Sequence, residues 1–461
     1  MHAGKPFSRL GIAALLTVLI LAPNFSRARA ETPQEERIHA LEQQVQELRV
    51  EVESLRGQGL PAERLAELER RMDLLAQEIE RLRIGEAASD GPLESRYGLG
   101  PAASKVYGRQ KGVSIGGYGE GLYESRSGET DTADLLRAVF YFGYKWTDKI
   151  LFNSEIEFEH ATTGEGAEEK GEVSVEFAAV DFLLSGAANV RAGLVLIPVG
   201  FINELHEPTV FFGPRRPEVE RVILPSTWRE IGVGGFGDLG PVSWRAYLVA
   251  GLDAEEFRAG GIREGRQGGS QSKAEDLALT ARTDWTVASG VLVGASVFAG
   301  NAGQDLRDLA GETIDARTVV WEGHAEWRWR ALRLRGLAAR GSVGDVARLN
   351  DTLGFTGAES IGSRQSGWYG EAALDLLGLF PEAREQSLVL YGRHEAYDTQ
   401  REVPAEFDRN PANDVRVRTV GLDWKPIPNV VVKAAHQAFE DRANAPGAPG
   451  GRWSIGLGFI F

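Results

Sequence analysis

Hydrophobic residues recur with two different periods along the chain, and the first period covers residues 31–84. There, apolar side chains alternate in steps of three and four, and Glu, Gln and Arg fill many of the positions between them. The two sets are Ile38, Leu41, Val45, Leu48, Val52 and Leu55, and Leu65, Leu68, Met72, Leu75, Ile79 and Leu82. A narrow apolar seam of this kind predicts a helical coiled coil.

The helical pattern is interrupted once. Residues 57–61 read Gly-Gln-Gly-Leu-Pro, and the step from Leu55 to Leu65 breaks the heptad phase. The segment is therefore either two stacked helices or one helical hairpin, and a solvated amphipathic linker is the simpler alternative. Residues 85–111 are rich in Gly, Ala, Pro and Ser, which predicts a linker whose Tyr97 and Tyr107 could contact a barrel rim.

From Val113 onward the period changes to two, which predicts β-strands with one apolar and one polar face. Sixteen stretches alternate in this way, each about 9–13 residues long, which is the length that a tilted membrane strand needs. They lie near 113–125, 134–146, 150–160, 172–184, 189–201, 230–237, 242–252, 274–286, 290–300, 316–329, 332–342, 365–376, 387–397, 415–425, 430–440 and 452–461.

The connections between these stretches distinguish a membrane barrel from a soluble β-sandwich, since both alternate. Tight turns lie at 147–149, 185–188, 288–290 and 426–429, and long loops lie at 161–171, 202–229, 253–273, 301–315, 343–363, 398–414 and 441–451. Short turns at one end and long loops at the other are typical of an outer-membrane barrel. The tryptophans beside the turns would form an interfacial girdle: Trp146, Trp285, Trp329 and Trp424.

The final stretch, residues 452–461, places an aromatic residue at the very end of an amphipathic strand. Such an end resembles the signal that the barrel-assembly machinery recognises. The expected fold is all-β: a 16-stranded antiparallel transmembrane β-barrel at residues 112–461, preceded by a periplasmic α-helical coiled coil.

Residues 1–30 have the features of a signal peptide: Lys5 and Arg9, a short apolar run, and Ala-Arg-Ala at 28–30 as a cleavage site. We therefore expect export to the outer membrane. The chain has no cysteine, so it would cross the oxidising periplasm without forming disulfides. Its formal net charge of −15 argues against binding to nucleic acid, and no cofactor is expected.

Several motifs are similar to a known family. They are SKVY at residues 104–107, VSIGGYGE at 113–120, NSEIEFEH at 153–160 and GLVLIPVGF at 193–201. They resemble the phosphate-selective porin O and P group, and the similarity spans residues 104–461. The resemblance implies sixteen-stranded trimeric channels, in some members with a periplasmic N-terminal coiled coil. We therefore expect a homotrimer in contact with outer-membrane lipid.

A sixteen-stranded barrel is wide enough for a water-filled channel, so its selectivity depends on what narrows it. The longest loop, 202–229, carries apolar residues that need burial, such as Phe211, Ile223 and Trp228. We predict that it folds into the lumen as a constriction; the alternative is that it covers the barrel mouth or a subunit interface. The residues expected at the constriction and in solute binding are Arg215, Arg216, Arg221, Arg229, Glu218 and Glu220.

Charges of both signs occupy the polar strand faces. The expected lumen residues are Glu155, Glu157, Glu159, Arg282, Glu322 and Arg328, with Glu326, Glu371, Asp375, Arg330, Arg333, Arg335, Arg393 and Arg418 as further candidates. Mixed signs predict a transverse electric field or a salt-bridged wall, and in either case weak selectivity. The function expected is passive diffusion of small hydrophilic solutes or ions.

Other interpretations have less support from the sequence. Residues 112–116 match a G-x-S-x-G nucleophile elbow and residues 235–240 match G-x-G-x-x-G, but neither precedes the helix that its chemistry needs. Glu322, His324 and Glu326 share a strand face, which favours an ion-pair network over a metal site. We expect no enzyme activity. A structural barrel that contacts the cell-wall layer through its coiled coil is the alternative function.

Overall fold

The computed structural model describes residues 33–56, 67–76, 78–79, 94–162, 171–380, 386–443 and 450–461. The predicted signal peptide at residues 1–30 lies outside the described residues. By its internal contacts the chain divides into two units, Met1–Ser89 and Asp90–Phe461, and each is described by itself.

The described part of the first unit is helical. Helix α1, Pro33–Arg56, is followed by a second helical stretch at residues 67–76. Val52 and Leu68, which belong to the predicted apolar seam, are buried, whereas Leu74, which lies off the seam, is exposed. The seam positions are thus the ones that pack.

One ion pair relates these two helical stretches. The guanidinium of Arg37, near the start of α1, lies 3.8 Å from the carboxylate of Glu78, which follows the second stretch. Because the beginning of one helix contacts the end of the next, the two helices are antiparallel, as in a helical hairpin. None of the helices among the described residues is both long and apolar enough to cross a membrane.

In the described residues of the second unit, sixteen antiparallel strands form one closed barrel, in which each strand pairs with its sequence neighbours and β1 pairs with β16. The strands are β1 (Gly112–Arg126), β2 (Thr132–Thr147), β3 (Ile150–Glu159), β4 (Val173–Phe182), β5 (Asn189–Leu196), β6 (Arg229–Leu239), β7 (Val242–Ala250), β8 (Leu277–Ala288), β9 (Val291–Gly300), β10 (Thr318–Trp329), β11 (Leu332–Val343), β12 (Arg364–Asp375), β13 (Ser387–Glu402), β14 (Asp414–Ile427), β15 (Val430–Asp441) and β16 (Arg452–Ile460). Short helices α2 (Lys105–Gly108), α3 (Glu218–Val222) and α4 (Val346–Leu353) lie outside the strands.

The strand alternation decides which side chains face the lumen. On β10, Trp321 and Trp327 are exposed on the outer face, while Glu322 and Glu326 beside them are buried on the inner face. This is the reverse of a soluble protein, since the apolar side of the sheet faces outward and the charged side faces inward. The predicted sixteen-stranded barrel is confirmed.

The strand boundaries differ from the prediction mainly at two places. β5 ends at Leu196 rather than near residue 201, because the chain leaves the wall there, and β13 extends to Glu402 rather than ending near residue 397. Short connections such as 240–241 and 330–331 alternate with long ones such as 197–228, as the sequence predicted.

One residue proposed for the lumen, Arg418, lies on the opposite face. Its side chain is exposed on the outside of β14 and pairs with Glu440 on β15 at 2.9 Å. Val420 and Trp424, two and six positions further along the strand, are also exposed on that face. Because side chains alternate strictly along a strand, Arg418 has to face outward with them.

The barrel closes where the last residue meets the first strand. The N–H of Phe461 donates to the carbonyl oxygen of Gly117 at 2.9 Å, and the N–H of Gly117 donates to the carbonyl oxygen of Phe461 at 3.0 Å. A Cβ on Gly117 would lie 2.3 Å from the carbonyl oxygen of Val139 and 2.7 Å from the Phe461 ring. The closing pair therefore needs a glycine at this position.

Deleting Phe461 should lower the free energy of unfolding by about 2–4 kcal/mol, because two backbone hydrogen bonds and a ring contact are lost. Phe461→Leu keeps both hydrogen bonds and should cost less than about 1.5 kcal/mol. Urea unfolding in lipid vesicles, followed by tryptophan fluorescence, measures both values. Equal stability of the deletion variant and the intact chain would contradict this account of closure.

Candidate functional site: a barrel lumen crossed by one loop

The loop of residues 197–228, between β5 and β6, turns into the barrel. Its apolar side chains pack with inward-facing residues of β7–β12. The loop contributes Phe201, Ile202, Phe211, Val219, Ile223, Leu224 and Trp228, and the wall contributes Val249, Ala278, Phe298, Val320, Leu337, Ala339 and Tyr369. Burying one large apolar side chain contributes about 1.5–3 kcal/mol. These contacts hold the loop inside the barrel.

Charged residues of the wall opposite this apolar cluster hold the backbone of the loop. The ammonium of Lys433 on β15 donates to the carbonyl oxygens of Phe211 and Gly213, each at 2.9 Å. The carboxylate of Asp423 on β14 accepts from the N–H of Gly213 at 3.1 Å. Both charged side chains are buried, and a buried charge that loses its partner is costly. The loop and the wall therefore stabilise each other.

Ion pairs fix the middle of the loop to the strands that close the barrel. Arg215 pairs with Glu124 on β1, and Glu218 pairs with Arg452 on β16 at 2.9 Å. Glu218 also pairs with Arg221 at 2.7 Å. Burial would raise the pKa of Glu218, but the two arginines outweigh burial and hold this pKa below its ordinary value. Glu218 therefore stays a carboxylate inside the barrel.

A second segment, residues 94–111, also packs inside the barrel unit. Its buried apolar side chains include Leu99, Ala102, Ala103, Val106 and Tyr107, and they pack with residues of β1–β5. The hydroxyl of Tyr107 donates to Asp181 at 2.5 Å and accepts from Arg191 at 2.7 Å. These residues belong to the predicted linker 85–111, and for them the prediction is wrong. The small residues that indicated a linker instead permit close packing. Residues 85–93 lie outside the described residues.

Glu207 joins the two inserted segments. Its carboxylate accepts from the N–H of Ala102 at 2.9 Å and from the N–H of Ala103 at 3.3 Å. A Cβ on Gly100 would lie 2.4 Å from the Glu207 Oε1 atom, so the close approach requires glycine. Complete burial raises the pKa of Glu207 to about 7, although the two backbone N–H groups act to lower it. Near neutral pH this carboxyl is partly protonated.

The neighbouring His206 carries a buried positive charge. Its Nδ1 lies 2.9 Å from the carbonyl oxygen of Asn203, and its Nε2 lies 3.0 Å from the carboxylate of Glu155 on β3. Both partners only accept, so both ring nitrogens donate and the ring is an imidazolium. Burial lowers the pKa of His206, but the carboxylate of Glu155 outweighs burial and raises it. The ion pair ties the loop to β3.

Two cavities in the described part of the lumen lie on either side of the loop. A cavity of about 780 Å³ faces the short turns and is lined by loop residues as far as Val210. A cavity of about 410 Å³ faces the long loops and is lined by loop residues from Phe211 onward. The loop thus separates the cavities between these two residues. Six arginines and four acidic residues line the first cavity, and seven arginines and four acidic residues line the second, so both have an excess of positive charge.

The structure brings together four of the six residues expected at the constriction. Those that line the second cavity are Arg215, Arg216, Glu218 and Arg221. Arg229 instead pairs with Glu176 on β4 at 2.6 Å. Glu220 is buried and accepts from the Tyr369 hydroxyl at 2.7 Å. Glu220 therefore holds the loop to β12, whereas Arg229 joins two wall strands, and neither residue lines either cavity.

The expected lumen residues also divide into two groups. Glu159 lines the second cavity, and Arg282 and Arg328 line the first. The remaining three are buried within the wall and its contacts with the loop: Glu155, Glu157 and Glu322. His324 lies between Glu322 at 2.9 Å and Asp284 at 2.8 Å, in an ion-pair network. No group of three or more His, Cys, Asp or Glu residues in the described part of the chain is arranged to hold a metal ion.

Three anchors of the inserted segments were not anticipated from the sequence: Glu207, Asp423 and Lys433. Asp423 alternates with the outward Leu422 and Trp424, so strand parity could have placed it in the lumen. Nothing in the sequence near Glu207 indicates its contact with Ala102, which is 105 positions away.

The comparisons with known proteins give one relative and a shared fold. No family model matches the chain. An uncharacterized protein of Aquifex aeolicus (strain VF5) is 39% identical over 349 residues, which cover 73% of this chain and 78% of that protein. Salmonella typhi OmpF in complex with daunomycin is 11% identical, with a TM-score of 0.51 over 76% of this chain and 98% of that chain. Vibrio cholerae OmpT is 10% identical, with a TM-score of 0.47 over 77% and 98%. The similarity to OmpF concerns the fold alone.

Docking of residues 94–111 should weaken as the pH rises from about 4.5 to about 7, by up to about 3 kcal/mol. The sign follows because the docked Glu207 keeps its proton to a higher pH than a solvated Glu, so docking takes up a proton in this range. The measurement is the rate of trypsin cleavage within residues 94–111, divided at each pH by the rate for Glu207→Gln. For the intact chain this ratio should rise with pH.

The variant Glu207→Gln keeps an oxygen that accepts from Ala102 and has no group to titrate. The exposed Glu312→Gln controls for the loss of a carboxylate elsewhere and should behave like the intact chain. The explanation fails if Glu207→Gln retains the pH dependence of the intact chain.

Proposed function

We propose that this chain, which belongs to one protein family with the uncharacterized Aquifex aeolicus protein, forms a water-filled channel in a bacterial outer membrane for passive diffusion of small hydrophilic solutes. The observation that carries the proposal is a closed barrel whose lumen contains two cavities with a single loop between them. A barrel of sixteen strands without inserted chain would leave a wide aqueous pore.

The outer surface supports a position in a membrane. Along the strands, outward positions carry exposed apolar side chains such as Phe140, Leu248 and Leu390. The four tryptophans predicted to form the interfacial girdle are exposed: Trp146, Trp285, Trp329 and Trp424. Tryptophan is favoured at the boundary between hydrocarbon and headgroups. The row of tryptophans therefore marks one membrane boundary, on the periplasmic side if the short turns face the periplasm.

We propose loop 202–229 as the constriction. Its anchors to β14, β15 and β16 carry it from one wall to the opposite one, so a solute that moves between the two cavities has to pass beside Val210, Phe211 and their neighbours. Residues 94–111 occupy part of the cross-section below it. The pore is therefore much narrower than the barrel.

The lining favours small anions modestly over cations. Most lumen charges are paired, as the mixed signs of the sequence suggested, but both cavities keep an excess of arginine. Arg216 lines the second cavity, and its Nε and Nη2 atoms have no hydrogen-bond partner among the described residues. Both atoms are buried, and the Arg216 side chain adds a positive charge to the wall of that cavity. The phosphate selectivity implied by the resemblance to the porin O and P group would need a stronger preference than paired walls supply.

We also propose that the chain assembles as a homotrimer through the barrel-assembly machinery, as the family resemblance implies. Residues 31–84 are proposed as a periplasmic coiled coil, because the buried positions described there, Val52 and Leu68, belong to the apolar seam. Contact of this segment with the cell-wall layer is the remaining expectation for its partner.

Deleting residues 210–224 should raise the single-channel conductance by about twofold or more, because the narrowest part of the pore is removed. Lys433→Met, which releases the loop at Phe211 and Gly213 without shortening it, should give a smaller and noisier increase. Planar-bilayer recording measures both, with Lys149→Met in a short turn as the matched control. Unchanged conductance in the deletion variant would rule out the constriction.

The permeability ratio of chloride to potassium should exceed one, at about two to five, and Arg216→Gln should lower it. Arg418→Gln removes the same charge from the outer face and should leave the ratio unchanged. Reversal potentials in a salt gradient give the ratio. A ratio below one would refute the proposed preference, and a ratio above about twenty would favour a dedicated anion channel.

A further inference from the structure

A groove of about 340 Å³ lies on the outer face of β10–β13, near the end of the barrel that carries the long loops. Trp321 and Trp368 line it, and their side chains are 48% and 47% exposed. Ala338 and Ala396, which flank Trp368 in the strand register, form part of its floor. Two large rings above small residues leave an apolar slot that the described protein does not fill.

Three arginines border this groove on the same outer face. Arg340 lies opposite Trp321 in the register, with its guanidinium 5.8 Å from the centre of that ring. Arg401 lines the groove, and Arg416 lies opposite Ala396 on β14. All three side chains are exposed. None of them forms an ion pair with a carboxylate in the described part of the chain.

The lack of carboxylate partners sets these three arginines apart from their neighbours. Three other outward arginines near this end of the barrel have carboxylate partners: Arg364 with Glu402, Arg418 with Glu440, and Arg442 with Asp414, each at 2.9 Å. Asp398, the other acidic residue of the groove, pairs with Arg409. The acidic residues of this surface are thus already occupied, and the groove keeps a net positive charge.

The groove lies at the height of lipid headgroups. Trp321 precedes Trp329 by eight positions on β10, and Arg416 precedes Trp424 by eight positions on β14. Eight residues extend about 27 Å along a strand, which is about 20 Å across the membrane at the usual tilt. If Trp329 and Trp424 mark one boundary of the hydrocarbon, Trp321 and Arg416 lie near the other.

We infer that this groove binds a phosphate-bearing membrane lipid, with the phosphate among Arg340, Arg401 and Arg416 and an acyl chain between Trp321 and Trp368. Guanidinium groups form strong bidentate hydrogen bonds to phosphate oxygens, and an unpaired cluster at headgroup height attracts anionic lipid. The apolar slot accepts the chain that a free phosphate ion lacks. The inference requires the barrel to lie in a membrane, but it does not require conduction.

Quenching of tryptophan fluorescence by brominated lipids tests the site. The full chain is reconstituted in phosphatidylcholine vesicles that contain a minor fraction of either dibrominated phosphatidylglycerol or dibrominated phosphatidylcholine. The contribution of Trp321 and Trp368 is the difference from a Trp321→Phe/Trp368→Phe variant. Brominated phosphatidylglycerol should quench this contribution about twofold more strongly than the zwitterionic lipid.

The triple variant Arg340→Gln/Arg401→Gln/Arg416→Gln should lose the excess quenching by the anionic lipid. The matched control Arg364→Gln/Arg418→Gln/Arg442→Gln removes the same charge from the same end and should keep the excess. The inference is overturned if the first variant keeps the excess, or if both variants lose it equally. Absence of quenching by either lipid would also overturn it and would indicate a second protein copy over the groove.

Single-channel conductance of the first triple variant keeps this test separate from the proposed function. The three arginines lie outside the lumen, so their loss should leave conductance unchanged while the excess quenching disappears. A chain that binds the anionic lipid but does not conduct would refute the channel and leave the lipid site standing. A chain that conducts but shows no excess quenching would refute the lipid site and leave the channel standing.

Discussion

Backbone hydrogen bonding between β1 and β16 is the constraint on which the rest of this structure depends. A sheet that spans a membrane cannot leave an edge unpaired, because no water is available there to satisfy its N–H and C=O groups. Closure removes the edge, and it ends on the pair between Gly117 and Phe461. Once the sheet is closed, strand alternation sorts every side chain to the lipid side or to the lumen. The apolar side then faces outward, and the charges face a space that sixteen strands make wide.

That interior charge has mainly a structural use. Lys433 and Asp423 face backbone groups of the loop, and Glu207 faces backbone groups of residues 102–103. Inserted chain brings unpaired N–H and C=O groups into the barrel, and charged wall residues satisfy them with strong hydrogen bonds. The two inserted segments are thus held by the polarity of the wall as much as by their apolar contacts. Most of the other lumen charges pair with one another across the wall, and few remain for a solute.

The strands of the barrel can be predicted from the sequence more completely than the contents of its lumen. Strands such as β10 could be predicted because alternation is local and every strand repeats it. The inward loop could be predicted because Ile223 and Trp228 need burial. The packing of residues 94–111 could not be predicted. The contact of the Glu207 carboxylate with the backbone N–H of Ala102 produces no periodic pattern in the sequence, and small residues occur both in linkers and in tightly packed segments. Arg418 shares its strand parity with Val420 and Trp424, so alternation alone assigns it to the outer face.

Whether an arginine has a carboxylate partner separates structural from functional charge on both sides of the wall. In the lumen, a paired arginine such as Arg452 holds chain in place, whereas Arg216 has guanidinium atoms without a partner and lines a cavity. On the outer face, Arg418 is paired and Arg340 is not. A guanidinium without a carboxylate gains most from an anion that arrives from outside the protein, because no existing hydrogen bond has to break. The position of each unpaired guanidinium then determines the kind of anion that can reach it: a dissolved one in the lumen and a lipid phosphate at the membrane surface.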